Sequence, residues 1–127
     1  MPSDTSHSRS TPALRALDEA GIAYHVHAFD AASTDAARGY GKAAADALGL
    51  DEHRVFKTLL VAVRGGTVAH AVAIVPVAGS LSMRALARIL GAKSTDMADV
   101  TTAQRLTGYV VGGISPLGQR TRLITVI

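Results

Sequence analysis

The sequence predicts an α+β fold, a mixed β-sheet core with flanking helices, on three observations. Two β-rich runs, residues 55–63 and 68–75, are joined by Arg64-Gly65-Gly66-Thr67, a hairpin signature. Segments with helix caps and apolar stripes lie on both sides of that hairpin. The 127 residues are 48% apolar and 18% charged, a globular composition sized for one domain. A direct hairpin set among helices argues for a mixed sheet and against a doubly wound parallel one.

Residues 1–10 read as a flexible tail, and residues 11–127 as the domain. Thr11-Pro12 opens a first helix, with Thr as N-cap and Pro at the first helical position; Leu14 and Leu17 lie on its apolar stripe and Gly21 stops it. Residues 22–29 alternate as a strand does, with Tyr24 and Val26 on one face. A second helix is expected over residues 34–48, ending at Gly49, with Gly39 and Gly41 weakening its first half. After the hairpin, Pro76 closes the second strand. A short amphipathic helix follows over residues 82–90, capped by Ser80 or Ser82 and closed by Gly91. Residues 93–97 form a short strand and residues 101–106 a further helical turn or two, with Asp99 available as its cap. A glycine-rich loop begins at Gly108, and residues 123–127 are a last β-like run.

Composition excludes several chemistries. Without cysteine there is no disulfide framework, thiolate zinc site, iron–sulfur cluster or cysteine nucleophile. No apolar run approaches the ~20 residues of a membrane helix, and the polar start lacks a signal-peptide core, so a cytoplasmic protein is expected. The formal charge of +3 permits contact with a polyanion without demanding it.

Lys57 is the most informative single residue. On a strand it shares a face with Val55, Leu59, Val61 and Val63, and a lysine on an apolar face is costly unless it is paired, borders a cleft, or reaches water at the strand end. The run Gly112-Gly113-Ile114-Ser115-Pro116-Leu117-Gly118 is the second feature. Its glycines expose backbone N–H groups toward an anion or a developing oxyanion, or else merely make a tight connection between strands. It is neither a Walker A loop nor a nucleophile elbow. His25 and His27 fall on one face, but neither cysteine nor a carboxylate cluster completes a metal site around them.

Together these segments resemble the YbaK/EbsC family of aminoacyl-tRNA deacylases, related to the editing domain of bacterial prolyl-tRNA synthetases. The residues that carry the resemblance are Thr11-Pro12-Ala13, His25-Val26-His27-Ala28-Phe29-Asp30, Ala43 through Leu50, and Val55-Phe56-Lys57-Thr58-Leu59-Leu60. It resumes at Leu86 through Ala98 and runs from Thr107-Gly108-Tyr109 into the glycine loop. The free-standing Cys-tRNA(Pro) deacylases are the branch it most resembles. The resemblance implies hydrolysis of cysteine mischarged onto tRNA(Pro), with no cofactor and no metal. Proline and cysteine are near-isosteres that one pocket separates poorly.

By the same resemblance Lys57 and Gly112 are the catalytic positions. Phe29, Thr58, Gly113, Ile114, Ser115, Pro116 and Gly118 bind substrate, Phe29 standing where relatives often carry Tyr. The substrate thiol attacks its own ester, Lys57 orients the aminoacyl or adenosine end, and the Gly112 and Gly113 amides support the carbonyl oxygen. The implied partners are mischarged tRNA(Pro) and prolyl-tRNA synthetase, with no membrane. The alternatives are an Ala- or Ser-tRNA deacylase of the same superfamily, and a non-catalytic tRNA- or nucleotide-binding module. Relatives continue for roughly thirty more residues, so the domain is expected to lack their usual C-terminal segment.

Overall fold

The structure, a computed structural model, describes residues 10–29 and 40–127. Apart from Ser10, the expected tail lies outside the described residues, and so does the expected second helix before Tyr40. Helix α1, Pro12–Ala20, is capped as the sequence predicts: Thr11 Oγ1 accepts from the Leu14 N–H at 3.2 Å, and Gly21 ends the helix. Helix α2, Tyr40–Leu48, buries Ala43 and Ala45. A 3-10 turn, Glu52–Arg54, leads into strand β1, Phe56–Arg64, and strand β2, His70–Pro76, returns antiparallel to it with Lys57 opposite Val75 and Leu60 opposite Val72. Helix α3 (Met83–Ile89), strand β3 (Ser94–Met97), helix α4 (Val100–Thr107) and strand β4 (Thr125–Val126) complete the chain order.

The sheet runs β3-β1-β2-β4; the β1–β2 and β1–β3 pairs are antiparallel and β2–β4 is parallel. The mixed sheet of an α+β fold is therefore present. Both of its faces are covered, which is why β1 reads as a continuous apolar run and not as a clean alternation. On one face Val61, Val63, Ala71 and Ala73 pack beneath Leu86 of α3. On the other, Leu60 and Val72 pack beneath Ala103 of α4, with Ile74, Leu106, Ile114 and Leu123 around them.

Two expectations need correction. Residues 22–29 form no strand: they make no ladder with any described strand, and all but Tyr24 are exposed. Their alternation is real, yet without a sheet edge beside them it buries nothing. The hairpin connection is also shifted from the expected residues 64–67, since β1 runs on to Arg64 and β2 starts at His70 and not at residue 68. Its bend is fixed from outside. Gly65 adopts φ +70, and a Cβ there would stand 2.7 Å from Lys93 Cγ, so the turn lies against the residues that lead into β3.

The remaining caps follow the sequence. Ser82 Oγ accepts from Ala85 N–H at 3.1 Å, and Asp99 Oδ1 accepts from Thr102 N–H at 2.6 Å. The Thr102 N–H holds the Asp99 carboxyl below its ordinary 3.8, as the His53 N–H does for Asp51. Each depressed folded value contributes stability that is present above the unfolded value and is lost as pH falls through the folded one. The melting temperature should therefore drop on acidification below about pH 4. Asp99→Asn, which keeps a capping oxygen without the charge, should shrink the α4 share of that drop. An acid limb identical in Asp99→Asn would contradict this origin.

Candidate active site

Lys57 is the second residue of β1 and half-exposed. Its neighbours on the same face, Leu59 and Val61, are apolar, and among the described residues no acidic side chain pairs with its ammonium. Burying most of a cation's stem without a counter-charge leaves the head group available to an anionic or polar ligand. Thr58 points to the opposite face, which it shares with Leu60 and Ile74.

The glycine loop follows α4 and is tied down at several points. The Tyr109 hydroxyl donates to the Leu117 carbonyl at 2.7 Å, and Gln119 Nε2 donates to the Ser115 carbonyl at 3.0 Å. Ser115 Oγ accepts from the Leu117 N–H at 3.1 Å, and Val111 N–H donates to Gln104 Oε1 at 3.3 Å. Beneath these, Thr107 is buried with its hydroxyl donating to the Ala103 carbonyl and accepting from the Tyr109 N–H. Gly118, at φ +66, sits directly against the Pro12 carbonyl at the start of α1, with the carbonyl carbon 2.6 Å from where a Cβ would be. Ile114 anchors the loop on the core under α4.

Within the loop, Gly112 takes φ 97 and its N–H makes no hydrogen bond among the described residues, whereas the Gly113 N–H already donates to the Val110 carbonyl at 3.0 Å. The pair of glycine amides expected from sequence is thereby narrowed to one free donor at Gly112, with the Ile114 N–H also uncommitted. Pro116 and Gly118 are exposed, and Ser115 is half-buried.

The residues do not all converge. Strand alternation sends the Lys57 side chain off the α3 face of the sheet, while Ile114 packs on the α4 face that Thr58 shares. Phe29 lies in the extended 22–29 segment at 40% exposure, and among the described residues no hydrogen bond or ladder brings it to β1 or the loop. Tyr109, Gln104 and Gln119 are the residues that sequence reasoning passed over. Only the placement of an aromatic three residues before Gly112, in a chain with 4% aromatics, singled one of them out. Among the described residues no three His, Asp or Glu side chains gather to hold a metal, and no helix is long and apolar enough to cross a membrane.

A mixed four-stranded sheet with a glycine-rich loop clamped over one face defines an editing-domain scaffold, and the chain belongs to the aminoacyl-tRNA editing domain family, which matches residues 34–127. In particular, it is 30% identical over 117 residues to a protein of Enterococcus faecalis provisionally named Cys-tRNA(Pro)/Cys-tRNA(Cys) deacylase EbsC, covering 92% of this chain and 68% of that protein. Solved structures share the fold. One, described as a trans-editing enzyme for prolyl-tRNA synthetase on a provisional assignment, superposes with a TM-score of 0.74 at 23% identity, over 98% of this chain and 72% of that one. A scaffold used for computational grafting of linear epitopes superposes at 0.73 with 25% identity over the same shares.

Proposed function

We propose that the protein is a trans-editing deacylase that hydrolyses cysteine from mischarged Cys-tRNA(Pro) in the cytoplasm, with prolyl-tRNA synthetase as the partner that presents the tRNA. The observation that carries this reading is Lys57, a cation without an acidic partner among the described residues on an otherwise apolar strand face, in a chain of the editing family. The name of the E. faecalis relative supports the choice of substrate.

In the proposed chemistry the substrate sulfur attacks the ester carbonyl. A C–S bond forms, the C–O bond to the terminal ribose breaks, and the thiol proton passes to the departing ribose oxygen. Water then opens the resulting thiolactone to free cysteine. No protein nucleophile is needed, so the enzyme contributes orientation and stabilisation of the developing oxyanion. Lys57 holds the aminoacyl or adenosine end, and the uncommitted Gly112 N–H faces the carbonyl oxygen. On this reading the substrate end meets Lys57 on one side of β1 and the loop on the other, the side that Thr58 shares with Ile114. Gly113, Ile114, Ser115, Pro116 and Gly118 form the loop wall of the binding surface, whereas no hydrogen bond or ladder among the described residues brings Phe29 to it.

The test is turnover of Cys-, Ala- and Ser-tRNA(Pro) side by side with an S-methylated Cys-tRNA(Pro). Rapid loss of the cysteinyl ester alone is the expected result. Preference for the alanyl or seryl ester would replace the substrate assignment, and rapid hydrolysis of the S-methyl ester would exclude attack by the substrate thiol. Binding of tRNA without turnover of any ester would leave a non-catalytic module.

A further inference from the structure

A second feature lies away from Lys57 and the loop. Between α3 and β3 runs a groove of about 500 Å³ whose lining includes Arg84, Ala87, Arg88, Lys93, Ser94 and Thr95. Arg84 and Arg88 are one helical turn apart, so their side chains leave the same side of α3 with Cβ atoms roughly 6 Å from each other. Lys93 joins them from the turn before β3, where its stem lies along the backbone of Gly65. All three are exposed, and none has an acidic partner among the described residues. Asp96, the acidic residue of β3, is turned away by strand alternation: Thr95 pairs with Val63 on the α3 face, while Asp96 pairs with Ala62 on the other and meets Arg64 Nε at 3.5 Å. Three cations thus converge on one concave surface without neutralisation, out of a net charge of only +3.

The geometry points to this groove as a docking site for the phosphate backbone of tRNA, an assignment that rests on the deacylase reading above. A row of unneutralised Arg and Lys at nearly the spacing of successive phosphates favours a polynucleotide strand. Its position fits as well. The groove lies on the same face of the sheet as Lys57, and the six steps along β1 from Lys57 to Val63 span about 20 Å at ~3.3 Å each. A terminal ribose held at Lys57 would carry its strand three or four nucleotides back to Arg84, Arg88 and Lys93. Contacts of this kind position the substrate without reading its sequence, which leaves selection of tRNA(Pro) to the synthetase.

The experiment compares the wild type with the triple variant Arg84→Ala/Arg88→Ala/Lys93→Ala, using uncharged tRNA without synthetase, over a salt series. The cysteine ester of adenosine serves as a substrate that lacks the phosphates. The variant should bind tRNA at least tenfold more weakly at low salt, with a log–log salt slope shallower by about two. Hydrolysis of the adenosine ester should stay within about twofold of wild type, since that ester reaches only the Lys57 end. A variant with wild-type affinity and slope overturns the proposal, and so does a wild type without salt-dependent tRNA binding. Equal loss of adenosine-ester hydrolysis would also overturn it, because the three side chains would then be serving the reacting end. If the wild type does not hydrolyse the adenosine ester, the deacylase reading fails while the binding arms still judge the groove.

Discussion

Lys57→Ala should lower the rate of Cys-tRNA(Pro) hydrolysis by about a hundredfold or more, the scale on which a single preorganised charge or hydrogen-bond donor acts at a reacting ester. Lys57 is half-exposed with no ion pair among the described residues to lose, so the variant should fold and melt like wild type. Removing a cation from an apolar strand face also relieves a desolvation cost, and a slightly raised melting temperature would agree with that. Lys57→Arg separates charge from shape. It keeps the cation but replaces a compact ammonium with a planar fork, so partial activity would mark a role in orientation by charge. Wild-type turnover in Lys57→Ala would remove Lys57 from the mechanism.

Gly118→Val should have the largest structural effect. Gly118 combines a φ of +66 with direct contact against the Pro12 carbonyl, so a side chain there meets both backbone strain and a rigid neighbour. Overpacking against backbone costs on the order of 1–3 kcal/mol. The loop should lift from the start of α1, loosening the Tyr109 hydroxyl from the Leu117 carbonyl and freeing the segment that carries Gly112. A lower melting temperature together with slower hydrolysis is expected. Protection of the Leu117 N–H from hydrogen exchange should fall more than that of the β1–β2 ladder. Unchanged stability would mean that the loop is not docked on α1 as described.

Much of the fold was legible because its signals are local. Thr11, Ser82 and Asp99 each accept a hydrogen bond from an N–H three residues on, and short polar caps announce themselves in sequence. The two-glycine turn between apolar runs fixed the antiparallel pair at the centre of the sheet. Residues 22–29 failed for the opposite reason. Alternation predicts a face but not the presence of an edge to pair with, and the sheet's pairings run through β3, β1, β2 and β4.

The candidate site divides in the same way. Lys57 stood out because a cation inside an apolar strand violates the pattern around it. That Gly118 is pinned by the distant Pro12 depends on loop closure between residues far apart in sequence. No local pattern carries that information. The opposite orientation of Lys57 and Ile114 follows from period-two alternation, but only once the sheet's coverage on both faces is known.

The most direct test of the account is single-turnover hydrolysis by the wild type, with protein in excess over Cys-tRNA(Pro) or over correctly charged Pro-tRNA(Pro). The cysteinyl ester should be cleared far faster than its spontaneous decay, while the prolyl ester, which has no thiol to attack its own carbonyl, should be spared. Equal hydrolysis of both esters, or of neither, would contradict it.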